Sequence, residues 1–330
     1  MKRAHPASRL LFFLLTAALL LPAALPGCGG GPQNILNVGL MLGSAGLGDR
    51  SFNDSAYEGL LEAQKQYNIR FELATPSAEQ QTNMDALRLW AQSGFDLIIG
   101  VAFENMEPIK ALAAEYPQVS FGAIDFELSA ANVASIVYRE QEADFLMGVL
   151  CAMLTKTKSV GVIGGTDIPA IRRIFAGFNQ GVSYQDPGVR VFNDFAGSFS
   201  DSKLGYDLAL KRYNDGADVI HNAASRTGLG IIEAARATGK LTTGTSGDQR
   251  YLAPGCVVGN RPKRVDTAVL LLVGEVKQGR FTAGLRSLGL KENGLSLGPF
   301  DPDIVTPAML ARLDDLQRRI ISGEIAVSAE

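Results

Sequence analysis

Histidine and cysteine are scarce in this 330-residue chain, which has two histidines and three cysteines. Metal sites and His-based catalytic groups need several such side chains together, so the sequence offers them little and predicts no metal site and no cofactor. His5 lies near the N-terminus, and we expect His221 to be a structural residue at the end of a strand. Cys151 and Cys256 form no disulfide framework, and we expect two buried free thiols.

Clustered positive charge is also missing. The 31 Lys and Arg residues are scattered along the chain and are outnumbered by 34 Asp and Glu, which gives a net charge of −3. Nucleic-acid-binding surfaces need a basic patch, so we expect no nucleic acid partner. The P-loop pattern G-x-x-x-x-G-K-[ST] does not occur, which disfavours a nucleotide triphosphate site.

The N-terminus differs in composition from the rest of the chain. Lys2, Arg3 and Arg9 precede an uncharged apolar run at 10–25, which is typical of a signal peptide and is shorter than the roughly 20 residues that span a bilayer. The run ends in a segment that resembles a bacterial lipobox and carries Cys28. We therefore expect export and a lipid anchor on Cys28, in the bacterial cell envelope, facing the periplasm or the outer surface. The alternative is ordinary cleavage that leaves a free thiol.

From residue 35 onward, short apolar runs alternate with amphipathic stretches. This alternation predicts parallel strands joined by helices, and it occurs twice. The predicted strands are 35–42, 70–74, 97–101, 119–124 and 134–137 in the first set, and 159–163, 189–195, 219–222 and 241–244 in the second. Since open α/β sheets bind ligands at the carboxyl ends of their strands, two facing sheets predict a cleft between two lobes.

A glycine-containing loop at 43–54 follows the first predicted strand and leads into a helix predicted to begin at Ser55. Glycines permit close backbone approach to a ligand, and a helix start presents free N–H groups. The loop is therefore a candidate binding segment. Alternatively, Asp54 or Ser55 only caps the helix and Phe52 only fills the core.

The segment DRSFNDSAYEG at 49–59 resembles the D-K-S-F-N-x-S-x-W-x-G signature of the basic membrane protein family of ABC-transporter binding lipoproteins, which includes bacterial purine nucleoside receptors. Further similar stretches follow in order along most of the chain. They are GFDLIIGV at 94–101, Ile124-Asp125, GVIGG at 161–165, GADVI at 216–220 and KRVD at 263–266.

This resemblance implies a type I periplasmic-binding-protein fold, an α/β architecture of two Rossmann-like lobes with parallel sheets joined by a hinge. It also implies aromatic rings that stack on a nucleobase, and acids, amides and a lysine that bind sugar hydroxyls. The ligand-binding residues carried over are Asp49, Ser51, Phe52, Asn53, Tyr57, Phe103, Asp125, Phe175, Asp248 and Lys263. Phe103 could instead be a core residue, Asp125 a turn residue and Lys263 a solvated helix-end charge.

Three positions depart from the family pattern. Gly43 and Ser246 stand where the family commonly has aspartates, and Ser225-Arg226 replaces a pair of glycines. Arg226 adds a cationic fork suited to carboxylate or phosphate oxygens. We therefore add Arg226 to the candidate ligand-binding residues, with the hypothesis that the ligand is a modified or more acidic relative of common nucleosides.

The predicted function is that of a monomeric substrate-binding lipoprotein that presents a nucleoside-like small molecule to the permease of an ABC uptake transporter. The alternatives are an envelope ligand sensor and a nucleoside-processing enzyme, for which Asp49 and Asp54 make too loose an acidic cluster. The predicted division of the chain is a signal peptide at 1–27, a lipidated tether at 28–34, an N-terminal lobe at 35–127 and 254–295, and a C-terminal lobe at 128–253 and 296–330.

Overall fold

The structure is a computed structural model that describes residues 35–76 and 80–330. The predicted signal peptide, the tether and Cys28 lie outside the described residues. Two parallel sheets with helices between their strands form the body of the protein, which confirms the predicted fold class.

The first sheet has six parallel strands in the order β11-β5-β4-β3-β1-β2. Its strands are β1 (Asn37–Met41), β2 (Arg70–Ala74), β3 (Leu97–Val101), β4 (Ser120–Ile124), β5 (Val133–Tyr138) and β11 (Gly284–Leu288). The central strands β3, β4 and β5 are almost entirely buried, because helices cover both faces of the sheet.

The second sheet has five parallel strands in the order β10-β9-β8-β6-β7. Its strands are β6 (Ser159–Gly164), β7 (Arg190–Phe195), β8 (Val219–Ala223), β9 (Leu241–Thr245) and β10 (Val257–Arg261). The sequence predicted neither β10 nor β11, although β10 is buried along its whole length.

Strand pairing corrects two of the predicted lobe boundaries. The boundary at 127/128 assigned β5 to the C-terminal lobe, but β5 pairs with β4 in the first sheet. The boundary at 253/254 assigned β10 to the N-terminal lobe, but β10 pairs with β9 in the second sheet. The chain therefore changes lobes after β5, after β10 and after β11, since each of these strands completes its sheet before the next helix begins.

Nine helices lie in the described part of the chain, and the first begins at Phe52, three residues before the predicted start at Ser55. They are α1 (Phe52–Tyr67), α2 (Gln80–Gln92), α3 (Met106–Glu115), α4 (Glu140–Leu154), α5 (Pro169–Gln185), α6 (Ser202–Asn214), α7 (Thr227–Thr238), α8 (Val265–Lys277) and α9 (Pro307–Ile321).

Glycines allow three helix pairs to approach at backbone distance. A Cβ atom on Gly181 of α5 would lie 1.9 Å from the carbonyl oxygen of Phe145 on α4, and one on Gly230 of α7 would lie 1.8 Å from that of Ser202 on α6. A Cβ atom on Gly59 of α1 would lie 2.3 Å from the carbonyl oxygen of Asp266 on α8. These close contacts hold α4 against α5, α6 against α7 and α1 against α8.

The three crossing segments run side by side. The Arg139 amide donates to the Leu288 carbonyl, and the Arg264 amide donates to the Gly294 carbonyl. Lys263 and Leu295 form an antiparallel bridge between two of the segments. This bundle of short connections is the hinge of the molecule, and it lies at the base of the cleft between the lobes.

Candidate functional site

A recess lies between the carboxyl ends of strands from both sheets and contains about 660 Å³ of empty space, including its open mouth. Its lining residues are Gly43, Ser44, Ala45, Ser51, Phe52, Asn53, Ala102, Phe103, Glu104, Asp125, Ile168, Ile171, Ile174, Phe199, Ala223, Ser225, Thr245, Ser246, Arg261 and Lys263. Rings and aliphatic side chains therefore alternate with hydroxyls and charges around one cavity.

The backbone is strained where several strands end at this cavity. Ala102, Asp125, Ser225 and Ser246 follow β3, β4, β8 and β9, and their φ angles are +74°, +75°, +51° and +62°. Non-glycine residues seldom adopt this region, and such strain is concentrated at functional sites. The strand ends are thus shaped to present these four residues to the cavity, two from each lobe.

A buried group of charges forms the floor of the cavity at the hinge. Lys263 Nζ lies 2.6 Å from Asp125 Oδ1 and 2.8 Å from Glu140 Oε1, and Arg173 Nε donates to Glu140 Oε2 at 2.6 Å. Burial raises the pKa of Asp125, and Lys263 offsets only part of this effect. Burial also acts to raise the pKa of Glu140, but Lys263 and Arg173 outweigh it and hold that pKa below its usual value.

A second buried group lies beside the first. Asp144 Oδ1 is 2.7 Å from His221 Nε2 and 3.1 Å from Arg261 Nε, while Thr243 Oγ1 is 2.6 Å from His221 Nδ1. Burial lowers the pKa of His221 and outweighs the opposing influence of Asp144. The imidazole is therefore neutral, with Nε2–H donating to Asp144 and Nδ1 accepting from the Thr243 hydroxyl. As predicted, His221 is structural, although it lies inside β8.

This neutral histidine predicts a loss of stability in acid. Because the folded-state pKa of His221 is depressed, the stabilisation is present above the unfolded pKa of about 6.5 and is lost as the pH falls towards the folded value. Between pH 7.5 and 5.5 we expect His221 to cost the wild type up to about 1.4 kcal/mol of unfolding free energy. Urea denaturation of His221→Asn at both pH values should show a smaller loss; an equal loss in both proteins would contradict this assignment.

Hydrogen bonds join the two lobes across the mouth of the cavity. Ser225 Oγ donates to Asp49 Oδ2 at 2.7 Å, and the hydroxyls of Ser51 and Thr245 are 3.1 Å apart. The Arg226 guanidinium donates to the backbone carbonyls of Ala45, at 2.8 Å, and Leu47, at 2.5 Å. Arg226 therefore fastens helix α7 of one lobe to the loop after β1 of the other.

Loss of this fastening should weaken ligand binding. We expect Arg226→Met to lower affinity about tenfold, because hydrogen bonds from a charged donor contribute about 1.5–3 kcal/mol and those of Arg226 hold the two lobes together around the cavity. Calorimetric titration measures the change. Arg236→Met is the matched control, since Arg236 lies on α7, which Arg226 precedes, and its side chain is 60% exposed and pairs with Glu233 on the same helix. Equal affinity of the two variants would contradict the fastening role.

The predicted site residues divide into two groups. Those that line the cavity are Ser51, Phe52, Asn53, Phe103, Asp125 and Lys263. Those that lie outside its lining are Asp49, Tyr57, Phe175, Arg226 and Asp248.

Each residue outside the lining has another partner. The Asp49 carboxylate accepts the amides of Ser51, Asn53 and Asp54 and so fixes the loop before α1. Tyr57 packs edge-on against Phe71, and Phe175 stacks on Phe195 at 4.8 Å. Asp248 pairs with Arg250 at 2.9 Å. Arg226 donates from Nε and Nη2 to backbone carbonyls of the other lobe, and its contact with the ligand stays a prediction.

Residues 36–330 match the model of the Bmp family, described as ABC transporter substrate-binding protein PnrA-like. The chain belongs to the Bmp family. This confirms the resemblance in the sequence, and the role of the Bmp family is substrate binding for ABC transporters, which is not an enzymatic role. In the described part of the chain, no helix has the length and apolar character needed to cross a membrane.

Curated relatives and solved structures agree with this assignment. The chain is 31% identical to an uncharacterized lipoprotein of Pyrococcus abyssi, over 86% of this chain and 75% of the relative. It is 30% identical to Basic membrane protein A of Borreliella afzelii, over 84% of this chain and 87% of the relative. An ABC transporter solute-binding protein from Aeropyrum pernix K1 superposes with a TM-score of 0.81 at 28% identity, covering 89% of this chain and 94% of the other.

Sequence reasoning missed several residues of the Bmp cavity. Phe199 precedes α6 and brings its ring against Gly165, where a Cβ would lie 2.2 Å from the ring. Arg261 ends β10, the strand that the sequence did not predict. Recognition of β10 as a buried strand that ends in an arginine would have placed Arg261 at the cleft, since carboxyl ends of the strands meet there.

Proposed function

We propose that this protein binds a purine nucleoside, or a closely related small polar molecule, and presents it to the permease of an ABC uptake transporter. The observation that carries the proposal is the combination of aromatic walls and a charged floor in one cavity between two hinged lobes. Lobe closure around a ligand would change the surface that the permease meets.

The aromatic walls suit a flat base. Phe52 and Phe103 come from the first lobe and Phe199 from the second, so closure brings rings towards the ligand from both sides. Phe103 is 38% exposed, which is unusual for a large apolar ring and leaves it free to cover a ligand. Stacking of aromatic rings adds about 0.5–1.5 kcal/mol beyond the burial of area.

The charged floor suits sugar hydroxyls. A hydroxyl both donates and accepts, so it can bridge a carboxylate such as Asp125 and an ammonium such as Lys263. These two groups are held 2.6 Å apart next to the hinge, so a sugar bound there would touch the segments that move when the lobes close. Ligand binding would thereby be coupled to closure.

The relatives named lipoproteins support an anchor on Cys28. In this proposal the mature protein is exported, is held at a membrane of the cell envelope by lipid on Cys28, and acts as a monomer. Two or more acyl chains suffice for durable membrane attachment.

Native mass spectrometry of freshly purified mature protein tests the ligand, followed by calorimetric titration with inosine, adenosine, uridine and free ribose. We expect a retained mass that matches a nucleoside, and nucleoside binding that is much tighter than ribose binding. Phe199→Ala should weaken nucleoside binding about tenfold. Phe195→Ala, whose ring stacks on Phe175 outside the cavity lining, is the matched control. Failure of every nucleoside to bind would overturn the proposal.

A further inference from the structure

Arg261 is a buried cation in the cavity wall whose hydrogen-bonding capacity is unused. The residue is 2% exposed and lines the cavity. Within residues 35–76 and 80–330 its ionic partner is Asp144, 3.1 Å from Nε, and Nε itself makes no hydrogen bond. No hydrogen bond joins the rest of the guanidinium to any described residue. Buried donors that lack acceptors are costly, so the N–H groups of Arg261 that are not hydrogen-bonded are available to a ligand in the cavity.

Contacts with Asp144 and with strand β9 fix the position of the Arg261 guanidinium. Asp144 is fully buried and its Oδ1 is shared between Arg261 and His221. Arg261 is also paired in register with Thr245 of β9, another residue of the cavity wall. The planar fork is thus held at the carboxyl edge of the second sheet, which is a suitable arrangement for recognising two acceptors in one plane.

The charges of the cavity favour a neutral partner over an anion. Glu104 and Asp125 are the acidic residues of the lining, and Arg261 and Lys263 are the basic ones. Lys263 is already paired with Asp125 and Glu140, and Arg261 with Asp144. Because each cation has a carboxylate partner, the cavity holds no surplus positive charge. The N–H groups of Arg261 that make no hydrogen bond within the described part of the chain fit a carbonyl oxygen and a ring nitrogen of a neutral ligand.

We propose that Arg261 is a specificity-determining residue that donates to the oxo-bearing edge of the base, so that oxo-substituted bases bind in preference to their amino counterparts. The inference rests on the proposed nucleoside function. Arginine donates and never accepts, and on the edge of a purine its fork matches O6 and N7. An exocyclic amino group would place donor against donor and leave the buried guanidinium unpaired, which is how binding sites reject close analogues.

Calorimetric titration of inosine against adenosine tests the inference, since the two differ by a 6-oxo and a 6-amino group. The wild type should bind inosine at least tenfold more tightly. The double variant Arg261→Met/Asp144→Asn removes both charges, so it leaves no unpaired carboxylate at this position. It should bind inosine more weakly than the wild type does, so that its affinities for inosine and adenosine differ by no more than about threefold. Arg261→Lys keeps the charge but not the fork and should also lose most of the preference. Circular dichroism and thermal melting establish that each variant is folded.

The outcomes separate the two proposals. Wild-type protein that binds inosine and adenosine equally, or adenosine more tightly, overturns the inference and leaves the nucleoside function intact. A tenfold preference that persists in the double variant also overturns the role of Arg261. Failure of the wild type to bind any nucleoside overturns the proposed function itself. Arg236→Met, on the surface of α7, should keep the wild-type preference.

Discussion

Replacing Lys263 with methionine is expected to lower the free energy of unfolding by about 3–5 kcal/mol at pH 8. Lys263 is 6% exposed and is the shared partner of two carboxylates, Asp125 and Glu140. Arg173 pairs with Glu140, so without the ammonium the Asp125 carboxylate has no ion-pair partner among residues 35–76 and 80–330. A buried charge that loses its partner costs far more than an exposed pair contributes. Chemical denaturation measures the change.

The pH dependence of this loss identifies its cause. In the wild type, the charge of Lys263 acts to lower the pKa of Asp125 and of Glu140. Its removal should raise both values, so the two carboxyls take up protons at higher pH in the folded variant than in the unfolded chain. Protonation removes the unpaired charge, and the stability deficit of Lys263→Met should therefore shrink as the pH falls from 8 to 5. A deficit that stays constant over this range would point to lost packing instead.

Ligand binding should be affected together with stability, because the same ammonium faces the cavity. We expect affinity to fall at least a hundredfold in Lys263→Met, since a buried charged hydrogen bond to the ligand contributes about 1.5–3 kcal/mol and the hinge around it is disturbed as well. Lys65→Met is the matched control: Lys65 lies on α1, its side chain is 74% exposed and its pair with Glu62 is a surface one. That variant should change neither quantity measurably.

The second large effect is expected from Gly181→Ala in helix α5. The added methyl group would lie 1.9 Å from the Phe145 carbonyl oxygen, and Gly148 and Gly177 make similarly close contacts between α4 and α5. The helices would have to separate along this seam. We expect the free energy of unfolding to fall by about 3 kcal/mol, which is at the upper end of the range for overpacked cores. This loss would outweigh the helix propensity of alanine, which is more favourable than that of glycine by about 1 kcal/mol.

Ser183→Ala is the control for Gly181→Ala, because Ser183 lies two residues further along α5 and is exposed. Its effect should stay within about 0.5 kcal/mol. Urea denaturation of both variants and the wild type provides the comparison. If Gly181→Ala were as stable as Ser183→Ala, the close approach of α4 and α5 would not be a determinant of stability.

Much of the fold could be predicted because its signals are local. The apolar runs that became β1, β3, β6 and β8 are buried on both faces, so they read as continuous hydrophobic segments between amphipathic helices. β10 and β11 lack that signal. β10 contains Gly259 and Asn260, and β11 is an edge strand that exposes alternate residues. Their place in the sheets depends on pairing with strands that are distant in sequence.

The candidate site was predictable only where chemistry and position coincide in a short motif. Ser51, Phe52 and Asn53 follow the first strand and line the cavity, as their motif indicated. Asp49 belongs to the same motif, but its carboxylate accepts hydrogen bonds from backbone amides at the start of α1. Arg226 lies close to the cleft, and its Nε and Nη2 donate to two carbonyls of the opposite lobe, which the sequence did not indicate. Hydrogen bonds of this kind join residues far apart in the chain, and no local pattern reveals them.

The sequence by itself determined the alternation of strands and helices, the pair of lobes and the family, because hydrophobic periodicity and motif spacing are properties of neighbouring residues. Only the tertiary structure decided which polar groups are available to a ligand. Asp125, Lys263 and Arg261 reach the cavity from β4, the hinge and β10. Burial raises the pKa of Asp125, and all three side chains are paired with partners that folding brings together.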